Sequence, residues 1–143
     1  MSAHLKSIAC DGPALVDLIV DDRRAVLLKN IAVNLPDITL NERHLCDLEL
    51  LATGGFSPLG GFMARADYEP VLDRMRLQDG TLWPLPICLD VSAIKAQRLE
   101  AGQSAALRDA EGLLIAVIRA GSCPATVCSF IRNPCVLAWK AIS

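Results

Sequence analysis

The sequence predicts an α+β domain in which short helices come first and β-strands follow. Three observations carry this prediction. Apolar residues recur at helical spacing up to about residue 75, aliphatic strand-like runs replace them after residue 80, and the 143 residues suit one ordinary domain. A self-contained two-domain enzyme does not fit within this length.

The first helix is predicted from about Arg23 to Asn34. A short β-like run at residues 15–20 precedes it, and Asp21-Asp22 can cap it. Pro36 prevents its continuation. The side chains expected to form its buried stripe are Val26, Leu27, Ile31 and Leu35.

The second helix is predicted from the capping-box pattern Thr39-x-x-Glu42. Gly54-Gly55 ends this helix, because glycine adopts the left-handed conformation common at helix C-termini. The residues expected to face the core recur at spacing three and are Leu45, Leu48 and Leu51.

A third, short helix is predicted to be capped by Asp67, with Pro70 in the first turn, where proline is tolerated. Its inward residues are expected to be Val71, Leu72 and Met75.

After the turn Asp79-Gly80 the pattern changes to strands, predicted at residues 81–91, 104–108 and 113–118. The last two flank the loop 109–112, which has the length and the glycine of a hairpin. Pro84 and Pro86 cannot donate to a ladder, so the first strand is expected at an edge or to start late.

Composition restricts the partners and the location of the chain. The net charge is −2 and the pI is about 5.6, which disfavours a phosphate-backbone binder, so no nucleic acid is expected. No membrane is expected, since the uncharged run 120–131 is shorter than the roughly 20 residues of a span and too polar. The N-terminus does not resemble a secretory signal, which predicts a cytoplasmic protein. The cysteines are then expected to be reduced and mostly buried: Cys10, Cys46, Cys88, Cys123, Cys128 and Cys135.

The last 32 residues differ in character from the rest. All 16 acidic residues lie in residues 1–111, whereas residues 112–143 hold none and three basic residues. Half of the cysteines fall within the last 21 residues. These features predict a domain over residues 1–119 and an atypical tail over residues 120–143.

The stretch from Leu40 to Val91 carries a recognisable pattern. A DLELL helix runs into GGFSPLGGFM, and a tyrosine-containing helix and WPLPICLDV follow. It closely resembles the N-terminal domain of ATP sulfurylase (sulfate adenylyltransferase), and looser similarity extends from Leu15 to Val117. The resemblance implies a PUA-like pseudo-β-barrel that in the family precedes a larger catalytic domain. The tail does not resemble the family, so the barrel is expected to be incomplete at its C-terminus.

The reaction implied by the resemblance is attack of a sulfate oxygen on the α-phosphorus of ATP, giving adenosine 5′-phosphosulfate and pyrophosphate. Sulfate is a weak nucleophile, so this step needs positioning and cationic stabilisation. The family supplies these from its catalytic domain, with a Gln-x-Arg-Asn-Pro segment, two histidine motifs and Mg²⁺ on the nucleotide. Here the histidines are His4 and His44, and neither stands in a paired motif.

Arg132 and Asn133 match the Arg-Asn of that segment, but Phe130 stands at the glutamine position and Val136 at the first histidine position. A chance tripeptide is the better interpretation. No catalytic, cofactor-binding or metal-ligating residue is therefore assigned. ATP and Mg²⁺ are expected only for the full-length family.

Other residues receive structural interpretations. The glycines around Phe56-Ser57-Pro58 are read as a helix stop and a tight turn anchored in the core, rather than a phosphate cradle. His44 is read as a solvated or core-edge imidazole. Arg43 and Asp47 are expected to form an exposed ion pair. Asp47 and Glu49 point to different helix faces and cannot act as a carboxylate pair. Ser57 has no histidine base in reach by motif and is not read as a nucleophile. The spacing of the last three cysteines is not that of a structural zinc site: Cys123, Cys128 and Cys135.

Three functions follow as hypotheses. The chain is an inactive N-terminal portion of an ATP sulfurylase, with a catalytic domain or further copies of itself as partners through an exposed sheet edge. Alternatively, it is a stand-alone PUA-like module for RNA or protein, which eleven basic against sixteen acidic residues over positions 1–111 disfavour for RNA. The third hypothesis is a non-functional remnant. A frameshift, a deletion or a truncated gene model is expected to explain the tail.

Overall fold

Helices and strands follow one another in an order that confirms the α+β class. A computed structural model describes residues 15–100 and 102–119. The helices in this part are α1 (Asp22–Ala32), α2 (Glu42–Thr53), α3 (Arg65–Arg74) and α4 (Ala93–Gln97), and the strands are β1 (Asp37–Thr39), β2 (Ser104–Arg108) and β3 (Leu114–Arg119).

The three strands form one sheet in the order β1-β2-β3. β2 and β3 are antiparallel, with Ala106 opposite Val117, and Gly112 turns the loop between them with a φ of 87°. This hairpin confirms the prediction. β1 lies parallel to β2, with Ile38 opposite Leu107, and was not predicted.

The strand predicted over residues 81–91 is wrong. This segment is irregular, with a single antiparallel bridge between Leu82 and Arg76. Pro84 and Pro86 lack the N–H groups that a ladder needs, which accounts for the missing strand. Residues 15–20 likewise form no named strand, although Ile19 makes an isolated bridge.

The main core lies between α2, α3 and one face of the sheet. Its largest fully buried side chains are Leu48, Leu51, Met63, Leu89, Leu107 and Ile118. Burial of each such side chain contributes about 1.5–3 kcal/mol of transfer free energy. Helix α2 supplies two of these residues, so its predicted inward face is confirmed at Leu48 and Leu51, whereas Leu45 is half-buried.

Helix α1 is capped as predicted but turns a different face inward. The Asp21 carboxylate accepts a hydrogen bond from the Arg24 N–H at 2.8 Å. The predicted stripe is wrong at three of its four positions, because these side chains are more than half exposed: Val26, Leu27 and Ile31. The buried residues are instead Ala25 and Ala32, with Leu28 and Leu35 partly buried. Ala32 packs with Ala106 and Val117, so small side chains allow the helix to approach the sheet closely.

Helix α2 has a capping box, but not the predicted one. Its N-cap is Asn41, whose side chain accepts the His44 N–H at 2.8 Å, while the Asn41 N–H faces His44 Nδ1. Thr39 belongs to β1 and Glu42 is the first helical residue. Gly54 ends the helix with a φ of 85°, as predicted.

Helix α3 begins two residues before Asp67, at a cap without a side-chain hydrogen bond. The predicted cap is therefore wrong, and Pro70 lies inside the helix rather than in its first turn. Val71 is buried as expected, but Leu72 and Met75 are exposed. Met75 adopts the left-handed conformation (φ 54°) that ends the helix, which turns it away from the inward face.

Candidate functional site

The loop that joins α2 to α3 is the most unusual segment of the fold. It has the sequence GGFSPLGGFMA over residues 54–64 and contains a cis Ser57-Pro58 bond. Side chains of this loop enter the core at Leu59, Phe62 and Met63, and the Met63 N–H donates to the Ile87 carbonyl at 2.8 Å. These contacts confirm a tight turn anchored in the core.

Ser57 fixes the start of the loop. Its Oγ accepts the Val16 N–H at 2.9 Å and donates to the Gly54 carbonyl at 2.7 Å. Both contacts are to backbone groups, so this hydroxyl connects the segment before α1 to the end of α2. This position agrees with the predicted helix stop and tight turn around Phe56-Ser57-Pro58.

A groove of about 530 Å³ lies between this loop and the turn after α3. The residues that line it come from the loop, from α3 and from the turn: Pro58, Leu59, Gly60, Gly61, Phe62, Met63, Ala64, Asp67, Leu77, Gln78 and Asp79. We call it the 58–79 groove. Its volume falls within the range of about 300–1,000 Å³ that is usual for ligand pockets.

Two carboxylates give the 58–79 groove its charge. Asp67 Oδ1 accepts the Gln78 N–H at 3.0 Å, and Asp79 Oδ1 accepts the Thr81 N–H at 2.8 Å. The backbone hydrogen bond from Thr81, together with its side-chain hydrogen bond, lowers the pKa of Asp79 below its ordinary value. The described residues that line the groove include no lysine, arginine or histidine. Two carboxylates repel a phosphate, which disfavours the phosphate-cradle interpretation of Gly60 and Gly61.

A second polar cluster surrounds His44. The imidazole is buried, and both ring nitrogens face N–H donors: Nδ1 faces the Asn41 N–H at 3.5 Å, and Nε2 faces the Asp90 N–H at 3.3 Å. The Arg43 guanidinium lies 3.2 Å from Nε2. The imidazole thus joins the N-terminus of α2 to the chain at residue 90. Of the two predicted alternatives, the solvated imidazole is wrong, because the ring is buried.

The surroundings of His44 favour its neutral form. Burial and the positive charge of Arg43 lower the pKa of His44 below its ordinary value of 6.5, and the Asp90 carboxylate opposes this shift only in part. A protonated ring would carry an N–H at both nitrogens; the Asp90 carboxylate lies 3.7 Å from Nε2, but Nδ1 would still oppose the Asn41 N–H. His44 is therefore a structural contact of the fold whose neutral form is favoured.

The predicted ion pair between Arg43 and Asp47 is wrong. Arg43 forms its ion pair with Asp90, 47 residues further along the chain. Asp47 is partly buried, and this burial raises the pKa of its carboxyl. Because residue 90 lies next to His44, tertiary packing brings Asp90 to Arg43 in place of the helical neighbour.

The two cysteines in the described residues differ in burial. Cys88 is buried and Cys46 is exposed, so burial is confirmed for one of the two. Within residues 15–100 and 102–119, no group of three or more histidine, cysteine or acidic side chains could hold a metal ion. The remaining cysteines, with His4, Arg132, Asn133 and the predicted tail, lie outside the described residues: Cys10, Cys123, Cys128 and Cys135.

Sequence reasoning did not identify Asp67 and Asp79 as neighbours in one groove. They are twelve residues apart, and the turn that approaches the loop depends on long-range packing of Leu77 into the core. The only local indication was the turn formed by Asp79 and Gly80.

The comparisons with known proteins agree with this architecture. The family described as a PUA-like domain matches residues 8–123, which is most of the chain. The chain belongs to this family.

More particular similarities are to enzymes named sulfate adenylyltransferase. The chain is 52% identical over 101 residues to that of Mycosarcoma maydis, covering 68% of this chain and 18% of the relative. It is 46% identical over 118 residues to that of Synechococcus sp. (strain JA-3-3Ab), covering 82% of this chain and 30% of the relative. The chain thus spans about a fifth to a third of the length of these relatives, whose larger part has no counterpart in it.

A solved structure is also similar. The hexameric APS kinase from Thiobacillus denitrificans matches with a TM-score of 0.68 and 39% identity, over 75% of this chain and 22% of that one. Among the helices of the described residues, none combines the length and the apolar character that crossing a bilayer requires.

Proposed function

We propose that this chain is the PUA-like domain of a sulfate adenylyltransferase and acts as a structural support for a catalytic part that lies elsewhere. The observation that carries the proposal is the 46–52% identity to enzymes of that name over only 18–30% of their length. Their reaction joins sulfate to the α-phosphorus of ATP and releases pyrophosphate.

The chemistry of the described residues supports a role without catalysis. Transfer between two anions needs cationic groups at the reacting centre. The 58–79 groove is instead lined by two carboxylates, and His44 has both nitrogens opposed by N–H donors. The cation beside His44, Arg43, is already paired with the Asp90 carboxylate, so neither place offers the cluster of unpaired cations that this reaction needs.

The first test is an assay of the purified chain with ATP, Mg²⁺ and sulfate. We expect pyrophosphate release no faster than in a control without protein. Calorimetry with ATP and with sulfate should detect no stoichiometric binding. Release above the control, or tight binding of either molecule, would overturn the proposal that the chain has no reactive centre.

The second test asks whether the chain can support a catalytic part. The matching segment of the Synechococcus enzyme is replaced by the corresponding residues of this chain, and a deletion of that segment serves as the control. We expect the hybrid to recover at least a tenth of the parental activity and the deletion to be inactive. An inactive hybrid that is folded and has the parental assembly would contradict the supporting role.

The partners and the location belong to the same proposal. The larger part of the enzyme is the partner proposed first, and further copies of the chain are the second, which the hexameric assembly of the similar APS kinase supports. We place the protein in the cytoplasm, and we expect neither nucleic acid nor a membrane among its partners.

A further inference from the structure

We infer that His44 is a proton-sensitive contact between α2 and the chain at residue 90. At neutral pH it holds this point of the chain to the N-terminus of α2. On protonation it releases residues 90–97, which include α4, while the sheet stays folded. The inference concerns a conformational property of the domain and does not depend on the proposed function.

The His44 ring is enclosed by N–H donors from two segments, and its exposure is 2%. Nε2 faces the Asp90 N–H at 3.3 Å and the Arg43 guanidinium at 3.2 Å, whereas Nδ1 faces the Asn41 N–H at 3.5 Å. A neutral imidazole carries one N–H and one acceptor nitrogen. Because Nε2 faces two donors at the shorter distances, we assign the acceptor to Nε2 and the proton of the neutral ring to Nδ1.

Protonation removes the acceptor on which this contact depends. A second N–H, at Nε2, would oppose the Asp90 N–H and the Arg43 guanidinium. The Asp90 carboxylate lies 3.7 Å from Nε2, but it is already paired with Arg43. Turning that carboxylate to the ring would leave the Asp90 N–H still facing a donor. A charged ring is therefore better satisfied by water, which it reaches when residue 90 moves away.

The charges around the ring give the direction of this equilibrium. Among the described residues, the charged groups that act on His44 are Arg43 and Asp47 from α2 and Asp90 from the chain packed against it. Burial and Arg43 lower the pKa of His44, and the two carboxylates oppose this shift only in part. The ring of the released state is solvated, so its pKa returns toward 6.5. The released state thus binds the proton more tightly, and acid favours release as the pH falls below 6.5.

Release can stay local because the chain on the two sides of residue 90 differs in burial. Before it, Ile87 and Leu89 are 4% and 1% exposed in the main core and anchor the chain. After it, Val91 is only partly buried and α4 contains no buried residue. Opening residues 90–97 therefore exposes little apolar surface, and local openings of this kind need less free energy than unfolding of the domain.

The test is hydrogen exchange of the ¹⁵N-labelled full chain at pH 7 and pH 5, in several urea concentrations below unfolding. The amides to compare are Asp90, whose N–H faces the ring, and Ala96, whose N–H donates to the Ser92 carbonyl within the α4 region, against Leu107 in β2. We expect the opening equilibrium at Asp90 and Ala96 to increase from pH 7 to pH 5 by up to about 25-fold, the limit set by a free pKa of 6.5. Because little surface is exposed, this opening should hardly change with urea.

Leu107 should exchange through a larger opening that grows with urea. If Asp90 and Ala96 showed the same urea dependence as Leu107, the contact would open only when the whole domain unfolds, and the inference would be wrong. An opening at Asp90 that does not change with pH would also overturn it. The ring gives an independent check, since long-range ¹H–¹⁵N correlation at pH 7 should show its proton on Nδ1. A proton on Nε2 at pH 7 would refute the inference, because that nitrogen could then not accept the Asp90 N–H.

Three variants separate His44 from other charged groups. His44→Gln has no titrating ring, so its opening at Asp90 should be equal at pH 7 and pH 5, whereas His4 is present in both proteins. Asp90→Asn keeps the backbone N–H but removes a carboxylate that favours the charged ring, so its pH dependence should be at least that of the wild type. Asp73→Asn removes an equal charge from an exposed position of α3 and should leave the pH dependence unchanged.

The variants can also contradict the inference. A pH dependence at Asp90 that persists in His44→Gln would assign the release to another titrating group. A smaller pH dependence in Asp90→Asn would mean that the carboxylate, rather than the ring, drives the opening. An altered pH dependence in Asp73→Asn would make the overall charge of the chain the cause. Each of these results would overturn the inference.

Discussion

Helices α1 and α2 are nearly equal in length, at 11 and 12 residues, yet they contribute to the domain in different ways. Helix α2 buries large side chains, and Leu48 and Leu51 have no exposed surface. Helix α1 buries alanines and leaves Leu27 at 61% and Ile31 at 52% exposure. The surface that each helix meets accounts for this difference.

The two faces of the sheet carry side chains of different size, so helices pack against them differently. On the main-core side, the sheet meets α2, α3 and the 58–64 segment through Leu107 and Ile118, and large side chains fill the space. On the other side, Ala106 and Val117 form a shallow surface on which Ala32 packs directly. A helix that packs through alanine approaches the sheet closely. The larger side chains of the same helix then lie on its outer, exposed side.

The largest expected effect is in α2. Leu48→Ala removes a side chain without exposed surface and leaves a cavity, so we expect a loss of about 2–5 kcal/mol in the free energy of unfolding. Urea denaturation followed by circular dichroism measures it. Leu48→Met, which nearly conserves volume, is the control and should cost less than about 1.5 kcal/mol. A loss below 1 kcal/mol for Leu48→Ala would break the contrast between the two helices.

The next effect tests how α2 ends. A Cβ at Gly54 would lie 2.5 Å from the Val16 carbonyl oxygen, whereas a Cβ at Gly112 would meet nothing within 4 Å, although both residues have a φ near +86°. Gly112→Ala should therefore cost only the left-handed conformation, on the order of 1 kcal/mol. Gly54→Ala adds a backbone clash and should cost at least about 1 kcal/mol more. Equal losses in thermal unfolding would show that the Val16 segment yields freely.

Much of the fold could be predicted from local sequence patterns. The 104–108 strand, the hairpin at 109–112 and the stop of α2 at Gly54 each depend on residues next to one another, and each is confirmed. The strand β1 could not be predicted in this way, since three residues become a strand only through pairing with β2, about 70 positions later.

The same dependence on distant contacts explains why the predictions were wrong for the ion pair of Arg43 and for the inward face of α1. Apolar periodicity identifies α1 as a helix, but which side turns inward depends on the small residues Ala106 and Val117 of distant strands. Arg43 has a carboxylate four residues away, yet it pairs with Asp90, because the buried His44 brings residue 90 to the helix. Features formed by two distant segments cannot be predicted from a single local sequence pattern.

The N-terminus of α2 should make the domain sensitive to acid. The folded-state pKa of His44 lies below 6.5, so the unfolded chain binds the proton more tightly, and stability falls as the pH drops below about 6.5. We therefore expect the free energy of unfolding to decrease between pH 7 and pH 5. The raised pKa of Asp47 acts in the opposite sense at lower pH, which is why the measurement stays above pH 5.

The control for this effect is His44→Gln. Glutamine is a favoured capping-box residue at this position and does not titrate in this range. Urea denaturation at several pH values should give a nearly flat profile for the variant. His4 is present in both proteins, so its titration cancels in the comparison. A wild-type slope that persists unchanged in the variant would assign the acid sensitivity to another group.

The smallest expected effects are on the outer face of α1. Leu27→Ala and Ile31→Ala remove side chains that are more than half exposed, so each should change the free energy of unfolding by no more than about 0.5 kcal/mol. Alanine is also the better helix former, which offsets part of the lost apolar contact. Leu28→Ala, one turn before the buried Ala32, is the internal comparison and should cost more. Losses of 2 kcal/mol or more at Leu27 and Ile31 would mean that this face is covered in solution. If those losses grew with protein concentration, a second copy would be what covers it, and the contrast with α2 would then lie in the partner of each helix rather than in the depth of its burial.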